Sequence, residues 1–203
     1  MLFRSPHVRE EGLRRLPVLA AAAADLGHPL LTLCSGTRDP VDMWRHHPDN
    51  ASAAAWQDLR RSLETALNAT ERWGVCLGIE PEATNTVSNA RLCRRLLDEM
   101  GSRRLRVILD PANLMHDAKA GEERRIVEEA FDLLGPDVAL GHAKELNDQG
   151  VPDGRGAGEG IIDWRHYLGQ LRRVGFDGDV ILHGLDEARV PAAVRHLRQC
   201  GQP

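Results

Sequence analysis

The sequence has no excess of positive charge and no long apolar run. Its 203 residues include 26 Lys and Arg against 30 Asp and Glu, which gives a net charge of −4. A protein that holds a polyanion needs a basic surface, so nucleic acid is not an expected partner. The Ala-rich run 16–24 is too short to cross a bilayer, so no membrane partner is expected either.

Paired cysteine motifs are also missing, because none of the four cysteines belongs to a CxxC pattern. Cys34 and Cys76 lie inside apolar runs, where a thiol behaves as a small hydrophobic group. This usage favours a reducing compartment and predicts a cytoplasmic protein.

No Asn-Gly hairpin signal, low-complexity segment or linker interrupts the chain. Short, nearly continuous apolar runs alternate with helical patterns, which is typical of parallel strands covered on both faces. The predicted strands are 30–34, 75–79, 105–109, 138–141 and 180–182. The predicted helices are 10–26, 50–73, 87–100, 121–134, 163–174 and 189–200. The class is therefore α/β with a parallel sheet, in one domain covering residues 1–203.

Four of these runs end on a residue that could bind a metal ion. The residues are Glu80, Asp110, His142 and His183, spaced 30, 32 and 41 residues apart. A repeated strand and helix unit needs about 30 residues or more, so each residue falls one unit after the last. Because such units place functional groups where strands run into the following loops, the series predicts one shared site at the C-terminal edge of the sheet.

Three of these residues also have a purely structural interpretation. Glu80 could be a surface charge at a strand end, and Asp110 could begin a turn. His142 could be a hydrogen-bonded strand-end histidine. The ordered series of four favours the metal site.

Five phrases of the sequence resemble the xylose-isomerase-like TIM barrels, a family that includes sugar isomerases, sugar 3-epimerases, inosose dehydratases and apurinic endonucleases. The phrases are GIEPE (78–82), LDPANL (109–114), GHAKEL (141–146), GEGIIDW (158–164) and GFDGDVILHGL (175–185). The resemblance implies a TIM-barrel type of fold. It also implies that LLTLCSG (30–36) is the fourth of eight strands, so that the chain is an incomplete barrel of about five strands with outer helices.

Sugar-active members of that family hold a divalent cation with Glu, Asp, His and Glu. The resemblance assigns the first three positions to Glu80, Asp110 and His142, whereas the fourth falls on His183. Mn²⁺ is the expected ion, with Mg²⁺, Co²⁺ and Zn²⁺ as alternatives. Glu80 and His183 become the expected acid/base pair, and Lys144 and Glu145 are predicted to bind substrate.

The expected function is isomerisation or epimerisation of a sugar, sugar phosphate or cyclitol through an enediolate. An inosose-dehydratase-like lyase would use the same intermediate. Two alternatives stay open: a non-catalytic or truncated barrel remnant, and an endonuclease-type phosphodiesterase, which the acidic balance disfavours. A five-stranded barrel would have two open edges, so pairing in a homo-oligomer is expected, and the chain is expected to be too short for efficient turnover.

Overall fold

The computed structural model of the protein describes residues 5–115, 118 and 121–202. The five strands are β1 (Leu30–Cys34), β2 (Cys76–Glu80), β3 (Leu105–Leu109), β4 (Val138–Ala143) and β5 (Val180–Leu182). The helices are α1 (Pro6–Asp25), α2 (Ala53–Glu71), α3 (Ala90–Met100), α4 (Pro111–Leu114), α5 (Glu123–Leu134), α6 (Trp164–Arg173) and α7 (Val190–Cys200). Nowhere in the described residues does a helix combine the length and the apolar character that crossing a bilayer requires.

The five strands form one sheet in the order β1-β2-β3-β4-β5, and the pairings recorded for β1 with β2, β2 with β3 and β4 with β5 are all parallel. The predicted class, α/β with a parallel sheet of about five strands, is confirmed. Strand order follows chain order because each right-handed crossover places the next strand beside the last. The fold is of the TIM-barrel type, with five strands in the part of the chain described.

The chain divides into two compact units, and the division falls inside β3. The first unit ends at Val107. Its helix α2 buries the apolar face that the spacing of Leu59, Leu63 and Ala66 predicts. A second apolar cluster in this unit joins Ala20, Ala23 and Val75.

The second unit begins at Ile108 and packs around buried aromatic residues of α5 and α6. The ring of Tyr167 lies 5.7 Å from that of Phe131 and 5.9 Å from that of Trp164. Its hydroxyl donates a hydrogen bond of 2.8 Å to the carbonyl oxygen of Leu109. This bond fixes the end of β3 directly before Asp110.

Each predicted helix begins one to four residues away from its predicted start, and the largest difference is at α1. Helix α1 begins at Pro6, four residues before the predicted start, because Ser5 caps it by accepting a hydrogen bond from the backbone N–H of Val8. Pro17 lies within this helix. The one-turn helix α4 was not predicted, and its cap is Asp110.

Candidate metal centre

Asp110 is the centre of a polar cluster at the end of β3. Its side chain is fully buried, and its two carboxylate oxygens have different partners. Oδ1 accepts a hydrogen bond of 2.9 Å from the backbone N–H of Ala112, which caps α4. Oδ2 lies 3.2 Å from His183 Nε2, 3.2 Å from Lys144 Nζ and 4.0 Å from His142 Nδ1. Oδ1 therefore caps a helix, and Oδ2 faces three nitrogen atoms.

The two histidines come from neighbouring parallel strands. His142 is the fifth residue of β4 and is paired in register with Ile181, while His183 directly follows β5. The backbone N–H of His183 donates to the carbonyl oxygen of Ala143, which holds the residue beside β4. The two rings stand edge to face with centroids 4.5 Å apart.

Burial and charge act in opposite directions on Asp110. Burial raises the pKa of the carboxyl group, since it penalises the charged form. The hydrogen bond with His183 and the Coulombic effects of Lys144, His183 and His142 outweigh burial, so the pKa of Asp110 lies below its ordinary value. The residue is therefore a carboxylate at neutral pH, as a metal ligand must be.

The chemistry of this donor set fits a divalent cation. Asp110, His142 and His183 each offer one ligand atom, and these atoms lie within 4.8 Å of one another. Imidazole nitrogen together with carboxylate oxygen suits the borderline and harder divalent ions of the first transition row. The structure thus brings these three residues together, and their role as metal ligands stays a prediction.

Lys144 reaches the same carboxylate from the strand end of β4. Its ammonium group pairs with Asp110 and also donates a hydrogen bond to Asn113 Oδ1 in α4. Its aliphatic stem lies against Gly184, where an added Cβ would come within 3.1 Å of Lys144 Cγ. Gly184 also has a φ of +71°, a conformation that favours glycine.

Glu80 is the last residue of β2 in the first unit and is paired in register with Cys34. The loop that follows it is held by the loop after β1: the backbone N–H of Gly36 donates to Asn85 Oδ1, and that of Val87 donates to Ser35 Oγ. These bonds fix the chain just beyond Glu80. Its roles as metal ligand and base stay predictions.

A family model, the xylose isomerase-like TIM barrel, matches residues 3–200. The chain belongs to this family. A comparison with curated proteins finds no match.

Solved structures of the same fold include several sugar epimerases. A D-tagatose 3-epimerase-like protein superposes with a TM-score of 0.75 at 17% identity, over 96% of this chain and 70% of that one. The 3-keto-D-glucoside 4-epimerase of E. coli gives 0.69 at 20% identity, over 95% and 72%. The IolI protein, solved with a zinc atom, gives 0.68 at 14% identity, over 99% and 70%. At these identities the likeness establishes the fold.

Glu145, for which the sequence predicts substrate binding, is held by several hydrogen bonds within the protein. Its side chain is buried, and both carboxylate oxygens accept hydrogen bonds from the protein. The donors are the backbone N–H groups of Leu146, Gly158 and Ile162 and the indole N–H of Trp164. These contacts tie the segment from Gly158 to Trp164 to the end of β4. Substrate binding by Glu145 stays a prediction.

Asn113 and Gly184 were not recognised as parts of the cluster from the sequence. Asn113 lies in LDPANL and Gly184 in DVILHGL, two of the phrases that carry the family resemblance. Nothing in a single sequence says that an amide and a glycine hold a lysine side chain between them. The signal available was only their closeness in sequence to Asp110 and His183.

Proposed function

We propose that the protein is a metal-dependent isomerase or epimerase of a small sugar, sugar phosphate or cyclitol. The observation that carries this proposal is the convergence of His142 and His183 on Oδ2 of Asp110. Family membership and the sugar epimerases among its structural neighbours support the same class of reaction.

In this proposal Glu80 supplies a fourth ligand. The set Glu80, Asp110, His142 and His183 has the composition of a site for a divalent metal ion. Mn²⁺ is the first ion to test, and Zn²⁺ is the second because the IolI structure holds zinc. When bound, such an ion supplies a Lewis acid that polarises a substrate carbonyl.

The chain's own residues would move the protons. Glu80, as a carboxylate, would accept the proton from the carbon next to the carbonyl, leaving an enediolate. His183 would return a proton to that intermediate as an imidazolium, which can donate near neutral pH. An imidazolium cannot bind a metal ion, so in this step Glu80, Asp110 and His142 would hold the ion. Lys144 would donate a hydrogen bond to a substrate oxygen.

The proposal is tested by solvent exchange in D₂O. The protein with added Mn²⁺ or Zn²⁺ would be incubated with ketopentoses, ketohexoses and an inosose. ¹H NMR would then follow the loss of the proton signal at the carbon next to the carbonyl as deuterium replaces the proton. An enediolate requires that this carbon exchange its proton. Glu80→Gln should slow exchange at least about 100-fold, the contribution typical of a positioned base.

A matched control is Glu64→Gln, which removes an exposed carboxylate of α2 that lies 4.0 Å from Arg60. This variant should exchange at the rate of the native chain. If the protein binds the metal but exchanges no proton with any of these substrates, the non-catalytic alternative would be favoured over the isomerase. Cleavage of abasic DNA would instead favour the phosphodiesterase alternative.

A further inference from the structure

Lys144 is held in place from three sides. Its side chain is only 13% exposed, and its ammonium group lies 3.2 Å from Oδ2 of Asp110. Asn113 accepts a second hydrogen bond from the same group, and the backbone of Gly184 packs against the methylene stem. A surface lysine that happens to lie near a carboxylate would have neither the amide partner nor the packed stem.

The oxygen that Lys144 contacts is the one that faces both histidines. His183 Nε2 lies 3.2 Å and His142 Nδ1 lies 4.0 Å from Oδ2. The other carboxylate oxygen is already engaged by the cap of α4. A divalent cation that takes Asp110 together with the histidines must therefore use the oxygen that Lys144 occupies.

Two positive charges on one buried oxygen repel each other strongly, since little water separates them. The ammonium group must then either move away from Oδ2 or remain as an unfavourable neighbour of the cation. Either outcome reduces the free energy that metal binding releases.

We propose that Lys144 is a built-in competitor for Asp110, which weakens binding of the divalent cation and is displaced from Oδ2 when the cation arrives. The inference rests on the metal site of the proposed function and adds a residue that sets the affinity of that site. It requires no turnover.

The experiment is isothermal titration of the chelator-treated protein with MnCl₂ and with ZnCl₂. Lys144→Met removes the charge and keeps most of the stem, and Lys144→Gln removes the charge and keeps a donor for Asn113. Both variants should bind at least tenfold more tightly than the native chain, a difference of about 1.4 kcal/mol. Lys144→Arg keeps the charge and should bind within a few-fold of the native affinity.

The matched control is Arg173→Met, which removes a positive charge from the same unit. Arg173 pairs with Asp132 on the surface and is half exposed. Arg173→Met should leave the affinities for Mn²⁺ and Zn²⁺ unchanged. This result would separate local competition by Lys144 from an effect of net charge.

Thermal melting supplies a second readout. Without metal, Lys144→Met should melt below the native chain because the buried carboxylate loses a counter-charge. Saturating metal should raise the melting temperature of Lys144→Met by more than it raises that of the native chain. If Lys144 had only a structural role, Lys144→Met would lower the melting temperature both without metal and with saturating metal. Its affinity for the metal would then be unchanged or weaker than that of the native chain.

Equal or weaker metal binding by both neutral variants would overturn the inference and leave the proposed metal site intact. If neither the native chain nor any variant binds Mn²⁺ or Zn²⁺, the metal site itself is wrong, and the inference falls with it.

Discussion

Asp110 uses its two carboxylate oxygens for two purposes. Oδ1 caps α4, so the position of the side chain is set by the backbone that follows it. Oδ2 is thereby turned toward His142, Lys144 and His183. The sequence allowed either a turn-starting residue or a metal ligand at this position, and the structure shows why the two are compatible.

Glu145 shows the opposite arrangement, because both of its carboxylate oxygens accept hydrogen bonds from the protein itself. Four N–H donors converge on it, at distances from 2.7 to 3.1 Å. The sequence could not distinguish this role from substrate binding, because Glu145 and Lys144 are adjacent at a strand end. The structure adds the segment from Gly158 to Trp164, whose N–H groups donate hydrogen bonds to Glu145.

Replacing Glu145 with Gln should destabilise the protein by about 2 kcal/mol, since an amide NH₂ would face two of the N–H donors and leave them without an acceptor. Urea denaturation at pH 7 would measure the difference. Glu128→Gln is the control, because that half-exposed carboxylate lies 3.5 Å from His166 and should change stability by less than about 0.5 kcal/mol. An equal effect of the two substitutions would contradict the role given to Glu145.

At the scale of elements, the strands were more predictable than the helix starts. The bounds 30–34, 105–109 and 180–182 were predicted as observed, because apolar runs flanked by turn residues leave little choice. The start of α1 depended on a single cap, Ser5, and α4 on Asp110. Each of these caps is a single side-chain hydrogen bond. The spacing of apolar residues therefore does not indicate where the helix begins.

The candidate site was predictable for a similar reason. Parallel strands in chain order bring their C-terminal ends to one edge, so a ligand at the end of each strand has to meet its neighbours. Asp110, His142 and His183 followed from that rule. Asn113 did not, because its contact depends on the one-turn helix that places it against Lys144.

The start of α6 offers a test of a helix cap with a defined pH dependence. Asp163 caps the helix through the backbone N–H of His166 and pairs with Arg124. Its partial burial raises the pKa, but these two interactions outweigh it, so the pKa of Asp163 lies below its ordinary value. Its stabilising effect is therefore complete above the unfolded pKa of about 3.9 and is lost as pH falls through the lower folded value.

Asp163→Ala should cost about 1 kcal/mol at pH 7, a typical value for loss of an N-cap. The difference from the native chain should persist to about pH 5 and shrink below about pH 4. Urea denaturation at pH 7, 5 and 3.5 would measure it. Asp163→Asn keeps a neutral cap acceptor and should retain most of the stability at pH 7, without the change at low pH. A difference that grows toward low pH would refute the assignment.

At the scale of the whole molecule, family membership and five parallel strands in chain order are established, while the reaction is a proposal. Pairing of the open edges in a homo-oligomer stays a prediction, as does the single-domain assignment. Four of the five phrases that carry the family resemblance span a strand end, where the fold and the candidate site constrain the same residues. The fifth, GEGIIDW (158–164), leads into α6 and supplies N–H donors to Glu145.

Ligand-linked stability would connect the site to the folding of the whole chain. A cation that binds only the native state at 100 times its Kd stabilises that state by about 2.7 kcal/mol. Adding Mn²⁺ or Zn²⁺ at that ratio should therefore raise the Tm by several degrees, and excess EDTA should reverse the rise. Asp110→Asn is the matched variant, because its amide oxygen can still accept from Ala112 while the negative charge at Oδ2 is gone. Its Tm should barely respond to the metal. A rise in Asp110→Asn equal to that of the native chain would mean that the stabilising ion binds elsewhere, and Asp110 would then be left with the cap of α4 as its only role.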